Sequence, residues 1–350
     1  MTDFLSDAAW EALSNQAVAA AGVVYFLAMI AHLVEVSAGR RVAQPATATG
    51  AGAAAGPGAG AVAVATGGDV DGGTDRADVV RREALFGRLG VLLTVIAALV
   101  HLVSLVARGL AADPDRVPWG NMYEFTLAGT FVVAALYLGL LRRYRLAWMA
   151  PIVVGVVLSL LMVAVIWLYA PIAPLTEALY SPWLVIHVVS AIIATGAFTL
   201  GGISSLLYLL KSREGGSTSR GYLARVPAPV DLDRLSYKLH AFGFPVWTFA
   251  VLITGPIWAH QAWSSYWSWD PKEVWAFITW VVYAAYLHAR ATAGWRGRNA
   301  AYLALLGLAT LWFNFIGINF FSSTSQHSYA APESAVVVLL PALPSAVEVA

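Results

Sequence analysis

Cysteine is absent from the chain, which excludes disulfides, zinc–thiolate centres, thiolate ligation of haem and any cysteine nucleophile. Charge is scarce as well. Asp, Glu, Lys and Arg make up 12% of the residues, where a soluble domain carries about 25%. A net charge of +1 with no separate basic cluster leaves no footprint for nucleic acid. The first apolar run follows Asp3, Asp7 and Glu11 and lacks a basic flank, so a cleaved signal peptide is not expected.

What is present is apolar. Hydrophobic residues reach 59% and mean hydropathy is +0.70. Runs of about 20 such residues recur, long enough to cross a bilayer as helices. The expected fold is therefore an all-α polytopic membrane bundle with about eight transmembrane helices. The spans are placed at 16–36, 88–110, 124–141, 148–169, 183–210, 235–259, 273–290 and 299–321. Basic residues follow alternate spans: Arg40, Arg41, Arg76, Arg81 and Arg82, then Arg142, Arg143 and Arg145, then Lys211 to Arg234, then Arg290 to Arg298. Those loops are expected on the cytoplasmic side, with both termini extracytoplasmic.

Four regions follow. Residues 1–36 hold an N-terminal transmembrane helix, and 37–86 a flexible cytoplasmic linker rich in Ala and Gly between 50 and 73. Residues 87–330 form the main membrane domain. The tail, 331–350, is broken by prolines and expected outside.

The most distinctive stretch lies at 258–275, on the extracytoplasmic side. Trp258, Trp263, Tyr266, Trp267, Trp269 and Trp275 crowd one connection between two spans. An ordinary interfacial belt spreads such residues thinly, so the cluster suggests a platform for a broad, flat, apolar ligand. Asp270-Pro271-Lys272-Glu273 reads as an N-cap, a proline at N1 and a capping-box glutamate that open the next helix. Lys272 is also placed to meet an anionic ligand group. A second aromatic piece, Trp119 to Phe125, carries Glu124 in the first turn of a span, where the helix dipole favours an anion.

Seven histidines occur, and their depths differ. His187, one turn into its span, and His327, just past the last span, both fall beside the aromatic connection. Two imidazoles flanking an aromatic platform match a bis-histidine haem site. His288 lies near the cytoplasmic end of its span and cannot reach them. His32 and His101 lie in the first two spans, while His240 and His260 read as packing or interface residues; a membrane histidine also commonly bridges helices.

These residues resemble the CcsA/ResC cytochrome c biogenesis proteins of the haem-handling superfamily, over about residues 88–329. The resemblance rests on the "WWD" segment, Trp263 to Trp275, on Trp119-Gly-Asn-Met-Tyr-Glu-Phe125, on Trp183 to His187 and on Asn319 to Tyr329. It implies a haem-handling subunit of a System II cytochrome c synthase. His187 and His327 would hold haem b iron at the outer site, with Trp258, Trp263, Tyr266, Trp267, Trp269, Asp270, Trp119 and Glu124 around it. His288 would hold iron at an inner site whose second ligand comes from a ResB-type partner. The client would be the CxxCH motif of apocytochrome c, with thioredoxin-like and CcdA-like proteins reducing thiols indirectly. Two positions depart from the pattern: His260 stands where asparagine is usual, and Ser264 where glycine is usual. A haem exporter without synthase activity and a b-type cytochrome or quinone oxidoreductase remain as alternatives.

Overall fold

The computed structural model describes residues 6–43, 70–174, 179–215, 221–292, 294–322 and 324–326. Among these there are ten α-helices and no β-strand. They are α1 Asp7–Ala43, α2 Val70–Leu110, α3 Met122–Leu141, α4 Ala150–Trp167, α5 Pro182–Arg213, α6 Pro229–Thr248, α7 Gly255–Trp263, α8 Pro271–Ala291, α9 Arg298–Trp312 and α10 Ile318–Phe321. Helices α1 and α2 run further than expected, to Ala43 and from Val70, so both ends of the anticipated linker are helical. Its remainder, and the tail 331–350, lie outside the described residues.

Helix starts are written locally. Asn121 accepts from the Glu124 N–H at 2.9 Å, and Ser181 accepts from the Trp183 N–H with Pro182 at N1. Pro229 and Pro271 open α6 and α8 in the same way.

Seven segments among the described residues are long and apolar enough to cross a membrane, one fewer than expected. The missing one is α8. Its tryptophans, tyrosines and His288 are weakly hydropathic, and Lys272, Glu273 and Arg290 sit at its ends. Nonetheless its 21 residues at 1.5 Å each span roughly 30 Å. It packs against α6 and α9 and returns the chain from the end of α7 to the start of α9. The protein is a multi-pass membrane protein.

Ion pairs gather at the two ends of the bundle, where charge is least costly in a bilayer. At the basic end Arg225 pairs with Glu35 at 3.3 Å and with Glu83, while Arg290 grips Asp233 through two bonds of 2.8 and 3.0 Å. At the aromatic end Glu124 binds Arg108 and Arg116, and Asp270 reaches Ser325. Between them lies a core of small and aliphatic side chains joining α1, α3, α4 and α5, including Ala21, Ala28, Leu127, Val153 and Leu161.

Candidate functional site

A cavity of about 240 Å³ opens at the aromatic end and extends between α3, α4, α5, α7 and α9. Along α5 it runs from Leu184 to Thr199, roughly 22 Å at helical rise. Its wall is apolar, with His187, Trp119, Trp258, Tyr266, Trp267 and Lys272 at the open end and Val133, Val157, Trp247 and Leu311 deeper.

His187 is held by an irregularity in the facing helix. Between α6 and α7, residues Phe249–Thr254 adopt a π-helix, an insertion frequent at functional sites. There the Gly255 N–H and the Thr254 hydroxyl both donate to the Ala250 carbonyl. That carbonyl also lies 2.9 Å from His187 Nδ1. A carbonyl can only accept, so Nδ1 carries the proton and Nε2 is the basic nitrogen. Gly255 permits this closeness, because a Cβ there would stand 3.2 Å from the imidazole. The Trp258 indole lies nearly parallel to the imidazole, with centroids 6.0 Å apart and planes at 16°. A second π-helix, Phe313–Gly317, carries Asn314 and Phe315 into the opposite wall.

The aromatic connection divides by role. Trp258, Tyr266 and Trp267 line the cavity, whereas Trp263 packs edge-on against Trp258 at 4.8 Å from behind. Trp269 does not line it. That side chain is 73% exposed, on a left-handed backbone (φ 60°), and meets Trp267 edge-on. Tyr266 also stacks on His260 at 4.2 Å, which keeps this exposed histidine outside the lining. Ser264 occupies the C-cap of α7 with φ 56°, a left-handed conformation in which glycine is at ease. The departure from glycine noted in the sequence therefore falls where it strains the backbone.

Asp270 caps α8 as anticipated. It accepts from the Lys272 N–H at 2.9 Å, while Glu273 accepts from the Asp270 N–H at 3.1 Å and the Ser268 N–H at 2.9 Å. Asp270 has a second task invisible in the sequence. It accepts from the Ser325 hydroxyl at 2.8 Å and the Gln326 N–H at 2.6 Å. His327 itself lies outside the described residues, but the chain leading to it is tied to the start of α8. Lys272, in the capping turn ahead of the span, donates to Asn319 at 3.0 Å. Burial, opposed by the Asp270 carboxylate, lowers its ammonium pKa to about 8.

Glu124 is fully buried and away from the cavity wall. Its carboxylate accepts from Arg116 at 2.7 and 3.2 Å, from Arg108 at 3.1 Å and from the Gly120 N–H at 2.8 Å. Those bonds fix the loop that presents Trp119 to the cavity. Arg108 also donates to the Ala170 carbonyl and Arg116 to that of Ala173, which joins α2, α3 and the chain after α4. His288 is remote from all this, exposed near the basic end of α8, while its neighbour Tyr286 is buried.

Residues 119–325 match the family described as "Cytochrome C assembly protein". "Cytochrome c biogenesis protein CcsA" of Synechococcus sp. (strain JA-2-3B'a(2-13)) is 32% identical over 305 residues, covering 70% of this chain and 86% of that protein. The protein of that name from Gloeobacter violaceus is 32% identical over 309 residues, covering 72% and 89%. Its namesake from Chlamydomonas reinhardtii is 41% identical over 157 residues, covering 45% and 43%. Among solved structures, "Cytochrome c Heme Lyase CcmF" superposes with a TM-score of 0.54 at 16% identity, covering 90% of this chain and 47% of that one. This likeness shows a shared fold, and the chain spans about half the length of that structure. The family match takes in Trp119, His187 and the whole aromatic connection, and with these relatives it places the chain in the cytochrome c assembly family as a CcsA-type cytochrome c biogenesis protein.

Proposed function

We propose that this chain is the haem-handling subunit of a System II cytochrome c synthase, with its aromatic end on the extracytoplasmic side of the plasma membrane. The observation that carries the reading is the state of His187. Its Nδ1–H is committed to the Ala250 carbonyl, so its basic Nε2 belongs to a side chain lining an aromatic, apolar cavity. Such a donor suits haem iron. The faces of Trp258 and Trp267 suit a porphyrin, and the Lys272 ammonium suits a propionate. His327, one residue past the Asp270 tether, is assigned as the second axial ligand.

The substrate would be haem b, and the reaction addition of a thiol of the CxxCH motif across each vinyl group. A carbon–sulfur bond forms, and the thiol hydrogen goes to the neighbouring vinyl carbon. Without cysteine, the chain neither forms thiol adducts nor reduces client disulfides. Its work is positioning and exclusion of water. His187 fixes the iron, Trp258 fixes the imidazole, and Asp270 and Glu124 hold the two loops that close the site. The exposed His288 is assigned to an inner site completed by a ResB-type subunit.

The test is co-expression with that partner and a CxxCH reporter, followed by staining for covalent haem. His187→Gly should abolish the stained product and change the spectrum of bound haem. Retention of an unchanged spectrum would overturn the assignment. His288→Ala should reduce haem loading at both sites, and full loading at the outer site would refute passage from inside to outside. Haem export without any apocytochrome would favour an exporter instead.

A further inference from the structure

Helices α1 and α2 form an antiparallel hairpin that lies outside the family match, and their shared seam is polar. On α1, Glu11, Ser14, Tyr25, His32 and Glu35 fall on one stripe of alternating three- and four-residue steps. On α2, Gly90, Thr94, His101, Ser104 and Arg108 do the same. Each ionisable group in a membrane is costly, so a seam that gathers several is a candidate for function.

The groups are fully enclosed. Tyr25 and His101 are 0% exposed and His32 is 1% exposed. Yet the Tyr25 hydroxyl, both ring nitrogens of His101 and Nε2 of His32 make no hydrogen bond of normal geometry among the described residues. Tyr25 and His101 meet edge to face with centroids 6.1 Å apart. His101 also turns towards the Leu127 backbone and the Phe131 ring of α3, while the Tyr25 hydroxyl and His32 Nε2 are left as sites for bridging water, since buried polar groups are otherwise partnered.

The seam is connected at both ends. At the basic end His32 Nδ1 lies 3.1 Å from a Glu35 carboxylate oxygen, and the imidazole nests where a Gly90 Cβ would sit. A surface cavity lined by His32, Glu35, Glu83 and Arg88 opens there. Towards the aromatic end the Ser14 hydroxyl donates to the Ser104 carbonyl at 2.9 Å and lies 3.4 Å from the Ser104 hydroxyl. One turn further, Arg108 stands 3.8 Å from Glu11.

We propose that the α1–α2 seam is a transmembrane proton path, carried by bound waters linking Glu35 and His32 through Tyr25 and His101 to Ser104, Ser14 and Glu11. A proton adds to one end and another leaves the far end, so N–H and O–H bonds are exchanged with no net chemistry. This path does not depend on the haem reading.

The full-length chain, reconstituted in liposomes containing a pH-sensitive dye, is placed under a potassium diffusion potential set with valinomycin. Proton uptake should exceed that of protein-free liposomes on the order of tenfold, and His101→Phe and Tyr25→Phe should each remove most of the excess. Tyr25→Phe deletes only the orphaned hydroxyl, which keeps the test valid if the histidine variant misfolds. Val18→Ala, in the same seam without a proton-carrying group, should conduct as the parent does. Uptake equal to protein-free liposomes, parental rates in both ring variants, or an equal loss in Val18→Ala would each overturn the proposal.

Discussion

Asp270 and Gln326 are joined by a hydrogen bond of 2.6 Å, the backbone N–H donating to the carboxylate. With the Ser325 hydroxyl on the other oxygen, one buried side chain starts α8 and anchors the approach to His327. Asp270→Ala removes a cap worth about 1 kcal/mol and the tether with it, for a total of about 2 kcal/mol. Thermal unfolding in detergent should show that loss, and haem recovered per chain should fall with it. Asp270→Asn, which keeps an acceptor, should lie between.

Glu124 is the buried carboxylate that Arg108 and Arg116 share. Glu124→Gln leaves Arg108 and Arg116 short of a counter-charge, and breaking a buried pair in this way costs about 3–5 kcal/mol. The melting temperature should drop accordingly. Tryptophan fluorescence should report looser packing of Trp119.

The Lys272 ammonium pKa, lowered to about 8 by burial, sets a pH window. Below that value the side chain is charged and attracts an anionic ligand group. Above it the attraction is lost. Haem loading should therefore fall as pH rises through about 8. Lys272→Arg, charged throughout, should keep loading level to about pH 10. A flat profile in the parent protein would remove Lys272 from the binding set.

Ser264 holds a left-handed backbone that glycine adopts freely. Ser264→Gly should raise stability by up to about 1 kcal/mol, measured by thermal unfolding, without altering haem loading.

The spans were legible because apolar length is a direct signature of a crossing helix, and the Asp270–Glu273 cap because it is local. Trp258, Tyr266 and Trp267 were expected at the site and line the cavity. Trp263 and Trp269 share their composition, but only packing separates a wall residue from a supporting or outward one. Glu124 read as a ligand contact, since sequence gives no sign that Arg108 and Arg116 fold back onto it. The eight-span count exceeded the hydropathic spans because α8 crosses with aromatic rather than aliphatic side chains. The sequence places His32 and His101 in the first two spans, yet only the pairing of the helices makes them part of one seam.

The π-helix at Phe249–Thr254 adds one residue without adding a turn. Everything downstream, from Gly255 to Trp263, is thereby rotated by about 100° relative to a regular helix. Deleting a single residue there would let the helix run on regularly from Thr248 and leave Trp258 facing the imidazole, while removing the displaced Ala250 carbonyl that holds His187. Rewinding the segment as a regular helix with every residue kept would instead swing Trp258 off the imidazole face.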